Sequence, residues 1–156
     1  MVRNIGSSAL DRRGFLAAGA ALIATTTLVG KAARAALPEV EAAIKEILGD
    51  RTAEEGRISL DLPEIAENGN TVPLTVEVES PMTEDDYVAA VHIFAEGNPQ
   101  PTVASMSFTP RSGEAIASTR IRLAKTQTIH AIAEMSDGSV FTATREVKVT
   151  IGGCGG

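Results

Sequence analysis

Residues 71–80 read TVPLTVEVES, and every second position, Val72, Leu74, Val76 and Val78, is apolar. A period of two belongs to a strand with one face buried, because a helix cannot bring these four side chains to one side. Pro73 has no N–H to give to a ladder, so this strand begins or edges a sheet. The stretch therefore commits the chain to a β-sheet packed on something. Similar runs follow, with turn residues between them. RISLDLP (57–63) precedes the turn Asn68-Gly69-Asn70. YVAAVHIFA (87–95) is apolar on both faces and reads as a central strand. TVASMSF (102–108) follows Pro99 and Pro101. AIASTRIRL (115–123) puts Ile121 and Leu123 on one face and Arg120 and Arg122 on the other. QTIHAIAEM (127–135) and SVFTATREVKVTI (139–151) are joined at Asp137-Gly138, a strong hairpin signal.

About seven strands of this kind, with no helix between them, predict an all-β fold: an immunoglobulin-like antiparallel β-sandwich. The Cys–Trp–Cys core of antibody domains is absent, since the chain has one Cys and no Trp. With only five aromatic residues, Phe15, Tyr87, Phe94, Phe108 and Phe141, the core has to be built from aliphatic side chains. Met82, Met106 and Met135 read as exposed and suit an adaptable contact surface. One short helix is predicted in front of the strands. In LPEVEAAIKEILGD (37–50), Pro38 suits the first turn, Glu39 and Glu41 its positive end, and Gly49 its stop. Val40, Ile44, Ile47 and Leu48 fall on one face.

The first 35 residues have a different character. Arg12-Arg13 precedes Phe15-Leu16 and an uncharged apolar run to Gly30, and Ala33-Arg34-Ala35 fits a small-x-small cleavage site. The arrangement resembles a twin-arginine (Tat) export signal, with Asp11 where Ser or Thr is usual and Ala17 where Lys is frequent. The apolar run is short for a span of about 20 residues, so a cleaved signal over 1–35 is expected rather than an anchor. The chain carries 14 basic and 20 acidic residues. Residues 1–35 hold five of the former and one of the latter, so the exported chain has 9 basic and 19 acidic residues and a net charge of −10. That balance speaks against binding nucleic acid or an anionic membrane surface.

Little in residues 36–151 looks like a self-contained active site. His92 and His130 are the only histidines, each inside a strand pattern, and read as packed or rim residues. Glu84-Asp85-Asp86 reads as a solvated turn. No nucleophile elbow is present, no metal-ligand spacing is seen, and no cofactor is expected.

The sequence ends VKVTIGGCGG, with its single cysteine, Cys154, between Gly152-Gly153 and Gly155-Gly156. An exported protein meets an oxidising compartment, yet one cysteine cannot form an internal bridge. Glycines without side chains make residues 152–156 a flexible arm, extending Cys154 roughly 10 Å past the last strand and fitting a narrow channel. An exposed thiol of ordinary pKa is mostly protonated at neutral pH. It is a handle rather than a strong catalyst. A prenylation box needs three residues after the cysteine, and two follow here. A structural subunit dimerised through Cys154, or an enzyme using it as nucleophile, are the alternatives. The second needs a nearby base, which the arm does not contain.

The terminal VTIGGCGG, the twin-arginine pattern and PEIAENGNTVPLTVEVESPM (63–82) together resemble the SoxY family, the substrate carriers of the bacterial sulfur-oxidation (Sox) system. The resemblance implies a periplasmic carrier, not an enzyme, with the sulfur substrate covalently bound at Cys154. Thiosulfate would become a cysteine S-thiosulfonate, sulfate would be hydrolysed off, and the sulfane sulfur would be oxidised later. It implies a heterodimer with SoxZ and transient contacts with the c-type cytochrome SoxAX, the hydrolase SoxB and the sulfane dehydrogenase SoxCD.

Overall fold

The computed structural model describes residues 38–153. The expected signal over 1–35 and Cys154, Gly155 and Gly156 lie outside the described residues. Helix α1 (Pro38–Leu48) comes first, as the sequence predicts. Gly49 follows at φ 57°, the left-handed position that ends a helix, and its N–H reaches Lys45 O at 2.9 Å.

Nine strands follow: β1 (Ala53–Glu55), β2 (Ile58–Asp61), β3 (Ile65–Asn68), β4 (Val72–Val78), β5 (Val88–Ala95), β6 (Thr102–Ser107), β7 (Ala115–Ile121), β8 (Gln127–Met135) and β9 (Val140–Ile151). They form two sheets. The larger has the order β1-β9-β8-β5-β6, with β3 also on β9, and the smaller is β2-β4-β7. The seven expected strands are all present, and β8 coincides with its expected bounds. β1 and β3 are additional, and both run parallel to β9 while the other pairings are antiparallel. They have three and four residues and show no alternation, because their neighbours rather than their own patterns place them.

The alternation of β4 is realised directly: Val72, Leu74, Val76 and Val78 are buried. They pack in one cluster with Ala115 and Ile121 of the same sheet, and with Val91, Ile93 and Ala95 of β5, Ile129, Ala131 and Ala133 of β8, and Val147 of β9. This is the core between the sheets. A register shift between Val88 and Ala90 leaves both Val88 and Val91 in the core although they are three residues apart. The alternate residues Phe94 and Ile132 join Val140 in a second cluster on the outer face of the larger sheet. Val40, Ala43, Ile44, Ile47 and Leu48 of α1 cover it. Burying each such side chain contributes about 1.5–3 kcal/mol, so the helix is held by the face that its periodicity announced.

The methionines do not form a contact surface. Met82 and Met135 are buried in the core, and Met106 is half-buried against it. Met135 follows the inward parity of Ala131 and Ala133 on β8, which overrides the polar residues flanking it.

Candidate functional site

β9 carries the chain toward the cysteine, and its end is held from several directions. Its first two thirds pair with β8, as far as Val147 opposite Gln127. Beyond that point the partner strand has ended, and the Val149 N–H donates instead to Thr126 Oγ1 at 2.9 Å. On the other edge, β3 pairs Asn68 with Ile151. The turn after β3 is closed by the Asn70 N–H donating to Asn68 Oδ1 at 2.9 Å.

Three backbone hydrogen bonds then link three segments. The Gly69 N–H donates to Ile151 O at 2.7 Å, the Leu123 N–H to Gly69 O at 2.8 Å, and the Gly153 N–H to Leu123 O at 2.9 Å. The backbones approach so closely that no Cβ fits. One on Gly69 would lie 2.2 Å from Leu123 O and 2.7 Å from Gly153 N. One on Gly152 would lie 2.2 Å from Ala124 O, and one on Gly153 2.6 Å from Gly69 O. Gly153 is buried. Gly152 and Gly153 thus lie against neighbouring backbone, and the arm expected over 152–156 continues beyond them into residues outside the described range. The glycines that remove side chains also let main chain meet main chain, and the three bonds follow.

The receiving segment, Arg122–Lys125, is itself fixed by Asn98 and Gln127, the buried polar side chains of the described residues. Asn98 Nδ2 donates to Arg122 O at 2.8 Å, and Asn98 Oδ1 accepts from the Ala124 N–H at 3.0 Å. Gln127 Nε2 donates to Asn98 Oδ1 at 2.9 Å and to Lys125 O at 3.0 Å, while its Oε1 accepts from the Gly97 N–H at 2.7 Å. Both amides are satisfied, as buried polar groups require. Sequence reasoning missed them; a Gln opening a strand and an Asn before a Pro have no pattern that announces burial.

A sequence model described as sulfur oxidation protein SoxY matches residues 44–154, more than half of the chain and up to the cysteine itself. The chain belongs to the SoxY family. The solved structure of the sulfur carrier protein SoxY from Chlorobium limicola f thiosulfatophilum is 36% identical, with a TM-score of 0.61, covering 72% of this chain and 96% of that one. A variant of the superoxide reductase (neelaredoxin) from Ignicoccus hospitalis gives a TM-score of 0.55 at 20% identity, covering 62% of this chain and 82% of that one. A putative superoxide reductase from Thermotoga maritima gives 0.52 at 19%, covering 62% and 87%. At that identity the likeness to the reductases is one of fold alone. No curated protein matches.

The SoxY fold here brings the end of β9 to the Asn68–Asn70 turn, while the two histidines lie elsewhere. On the outer face of the larger sheet, His92 Nδ1 lies 2.9 Å from Ser105 Oγ and His92 Nε2 3.2 Å from Glu134 Oε1. Arg51 donates to Glu134 at 2.6 Å and also to the carbonyls of Ile47 and Leu48 at the end of α1. This row of side chains fastens the helix to the sheet. It superficially resembles a serine–histidine–carboxylate set, but Ser105 stands within strand β6 and not on the sharp strand-to-helix turn of a nucleophile elbow. His130 pairs with Glu96 at 3.4 Å. Glu84-Asp85-Asp86 is a bend with Glu84 and Asp85 exposed and Asp86 half-buried.

Burial pushes the Glu134 carboxyl up, but hydrogen bonds from Arg51 and His92 outweigh it and hold the group below the usual range. Glu96 is likewise raised by burial and, more strongly, lowered by Thr128 and His130. A depressed carboxylate stabilises the fold above its unfolded-state pKa of about 4.3, and that contribution is lost as pH falls through the folded value. Urea midpoints measured from pH 7 downward are expected to decline below about pH 4.5–5, and less steeply in Glu134→Gln. An identical acid limb in the variant would remove Glu134 from this account.

Proposed function

We propose that this SoxY protein carries sulfur intermediates of thiosulfate oxidation covalently on the thiol of Cys154, in the periplasm, and presents them to separate enzymes. The observation that supports this most is the family match, which runs through Cys154. The solved relative is described as a sulfur carrier protein. The physics of the site agrees. The chain is described as far as Gly153, one residue before the cysteine, and neither histidine is among the residues that hold Gly153. A single thiol between glycines brings no base of its own in sequence, which suits it to being loaded by another enzyme rather than to catalysis. A tethered adduct also meets each enzyme at a raised local concentration.

The proposal includes export through the twin-arginine route, removal of residues 1–35, and a heterodimer with SoxZ. SoxAX would load the thiol, SoxB would hydrolyse off sulfate, and SoxCD would oxidise the remaining sulfane sulfur. Among the described residues no helix is long and apolar enough to cross a membrane. The intact mass of the protein from thiosulfate-oxidising cells tests the reading in one spectrum. The expected species starts at Ala36 and carries sulfur-containing additions on Cys154 that a reductant removes. A chain that never gains such mass in cells oxidising thiosulfate would overturn the carrier role, and one starting at Met1 would overturn the cleavage.

A further inference from the structure

We propose that the arm is hinged at Gly153 rather than at the end of β9, and that Gly69 is the positioning residue that fixes the hinge. This rests on the carrier reading, because only a carried group gives the hinge a purpose. The bond from Gly153 N–H to Leu123 O lies two residues past the last residue of β9. Gly69 stands at the centre of the arrangement: its N–H holds Ile151 O and its carbonyl holds the Leu123 N–H. Its missing Cβ leaves the space that Leu123 O and Gly153 N occupy. Both partners of the arm root thus meet at one residue in a turn far from it in sequence.

The consequence is geometric. An arm free from Ile151 would let the thiol wander over roughly 10 Å, whereas a hinge at Gly153 leaves one residue of about 3.3–3.6 Å between pivot and cysteine. The thiol then departs from a fixed point beside the Asn68–Asn70 turn and the Leu123–Ala124 segment. Each enzyme that takes the adduct has to approach that end of the sandwich. Less conformational entropy remains to be lost when the arm enters a channel, which favours capture. The hinge is specified by glycine at 69 and 152 as much as by the glycines beside the thiol.

Amide hydrogen exchange on the intact protein tests the hinge without any variant. The Gly153 N–H is expected to exchange about 100-fold or more slowly than in a free peptide of the same sequence, since it is buried and bonded. Exchange within about tenfold of the peptide rate would overturn the proposal. In Gly69→Ala, protection of Gly153 is expected to fall at least about tenfold while core amides such as Val91 and Ala131 stay protected. A spin label on Cys154 should gain mobility in the same variant. If core amides lose protection together with Gly153, Gly69 is a general structural residue and its positioning role falls. If Gly69→Ala does not fold, Gly153 exchange in the unaltered protein still decides the hinge. Failure of the carrier reading is seen separately, as absence of sulfur mass on Cys154, and leaves these exchange rates unchanged.

Discussion

Replacing Cys154 with serine is expected to abolish thiosulfate-dependent electron transfer in a reconstituted system of this protein, its partner and the oxidising enzymes. An alcohol supplies no thiolate and cannot form the S–S bond by which a sulfur substrate would be held. Stability should be almost unaffected, with a change under about 0.5 kcal/mol. Among the described residues the root, up to Gly153, is held through main-chain groups that a change at 154 leaves in place. Loss of turnover with an unchanged melting temperature is therefore the expected pair of results. Turnover by the serine variant at the original rate would end the carrier reading. A large loss of stability would instead mean that residue 154 packs against the sandwich.

The second large effect is expected at Gln127, which is 1% exposed. Gln127→Leu keeps the volume nearly constant, so no cavity opens and the cost is polar. The Gly97 N–H and Lys125 carbonyl lose their side-chain partner, and Asn98 Oδ1 keeps only the Ala124 N–H. Leaving buried groups without partners costs about 1–3 kcal/mol each, and the bonds to Gly97 and Lys125 are only part-buried, so about 1–3 kcal/mol in total is expected in urea denaturation. The m-value should be unchanged. A loss below about 0.5 kcal/mol would show that water replaces the amide without penalty. The variant also loosens the segment onto which Gly153 docks, so Gly153 exchange should quicken in it as well.

The elements that could be read from the sequence were those whose own side chains carry the pattern. Val72, Leu74, Val76 and Val78 announced β4 because one face is buried and the other is not. Val40, Ile44, Ile47 and Leu48 announced α1 for the corresponding reason at helical spacing. β1 and β3 were silent, since AEE and IAEN hold no alternation and exist as strands only because β9 runs beside them. Met135 was misplaced because polar neighbours in sequence hid an inward parity that only the register reveals, and Met82 because it is buried from the segment between β4 and β5, where no strand parity applies. The cysteine in its glycine setting was plain, but the docking of its root was not. Main-chain bonds between Gly69, Leu123 and Gly153 leave no side-chain signature, and Asn68-Gly69-Asn70 read as a turn and nothing more. Asn98 and Gln127 were hidden likewise, since what buries them is the meeting of loops distant in sequence.

The position of β9 in the larger sheet also orders events in time. Strands emerge from the ribosome in numerical order, and β9, the last of the nine, lies between β8 on one side and β1 and β3 on the other. During synthesis the larger sheet therefore lacks an interior member until residue 151 has been made, and pairings of such wide sequence separation form late. A nascent chain stopped short of this strand has neither a closed sheet nor the cysteine. Because only two residues separate Ile151 from Cys154, the ability to close the sheet and the possession of the thiol arrive almost together. Any export machinery that admits only folded chains would thereby turn away chains cut short before β9 is complete, and with them chains truncated ahead of the thiol.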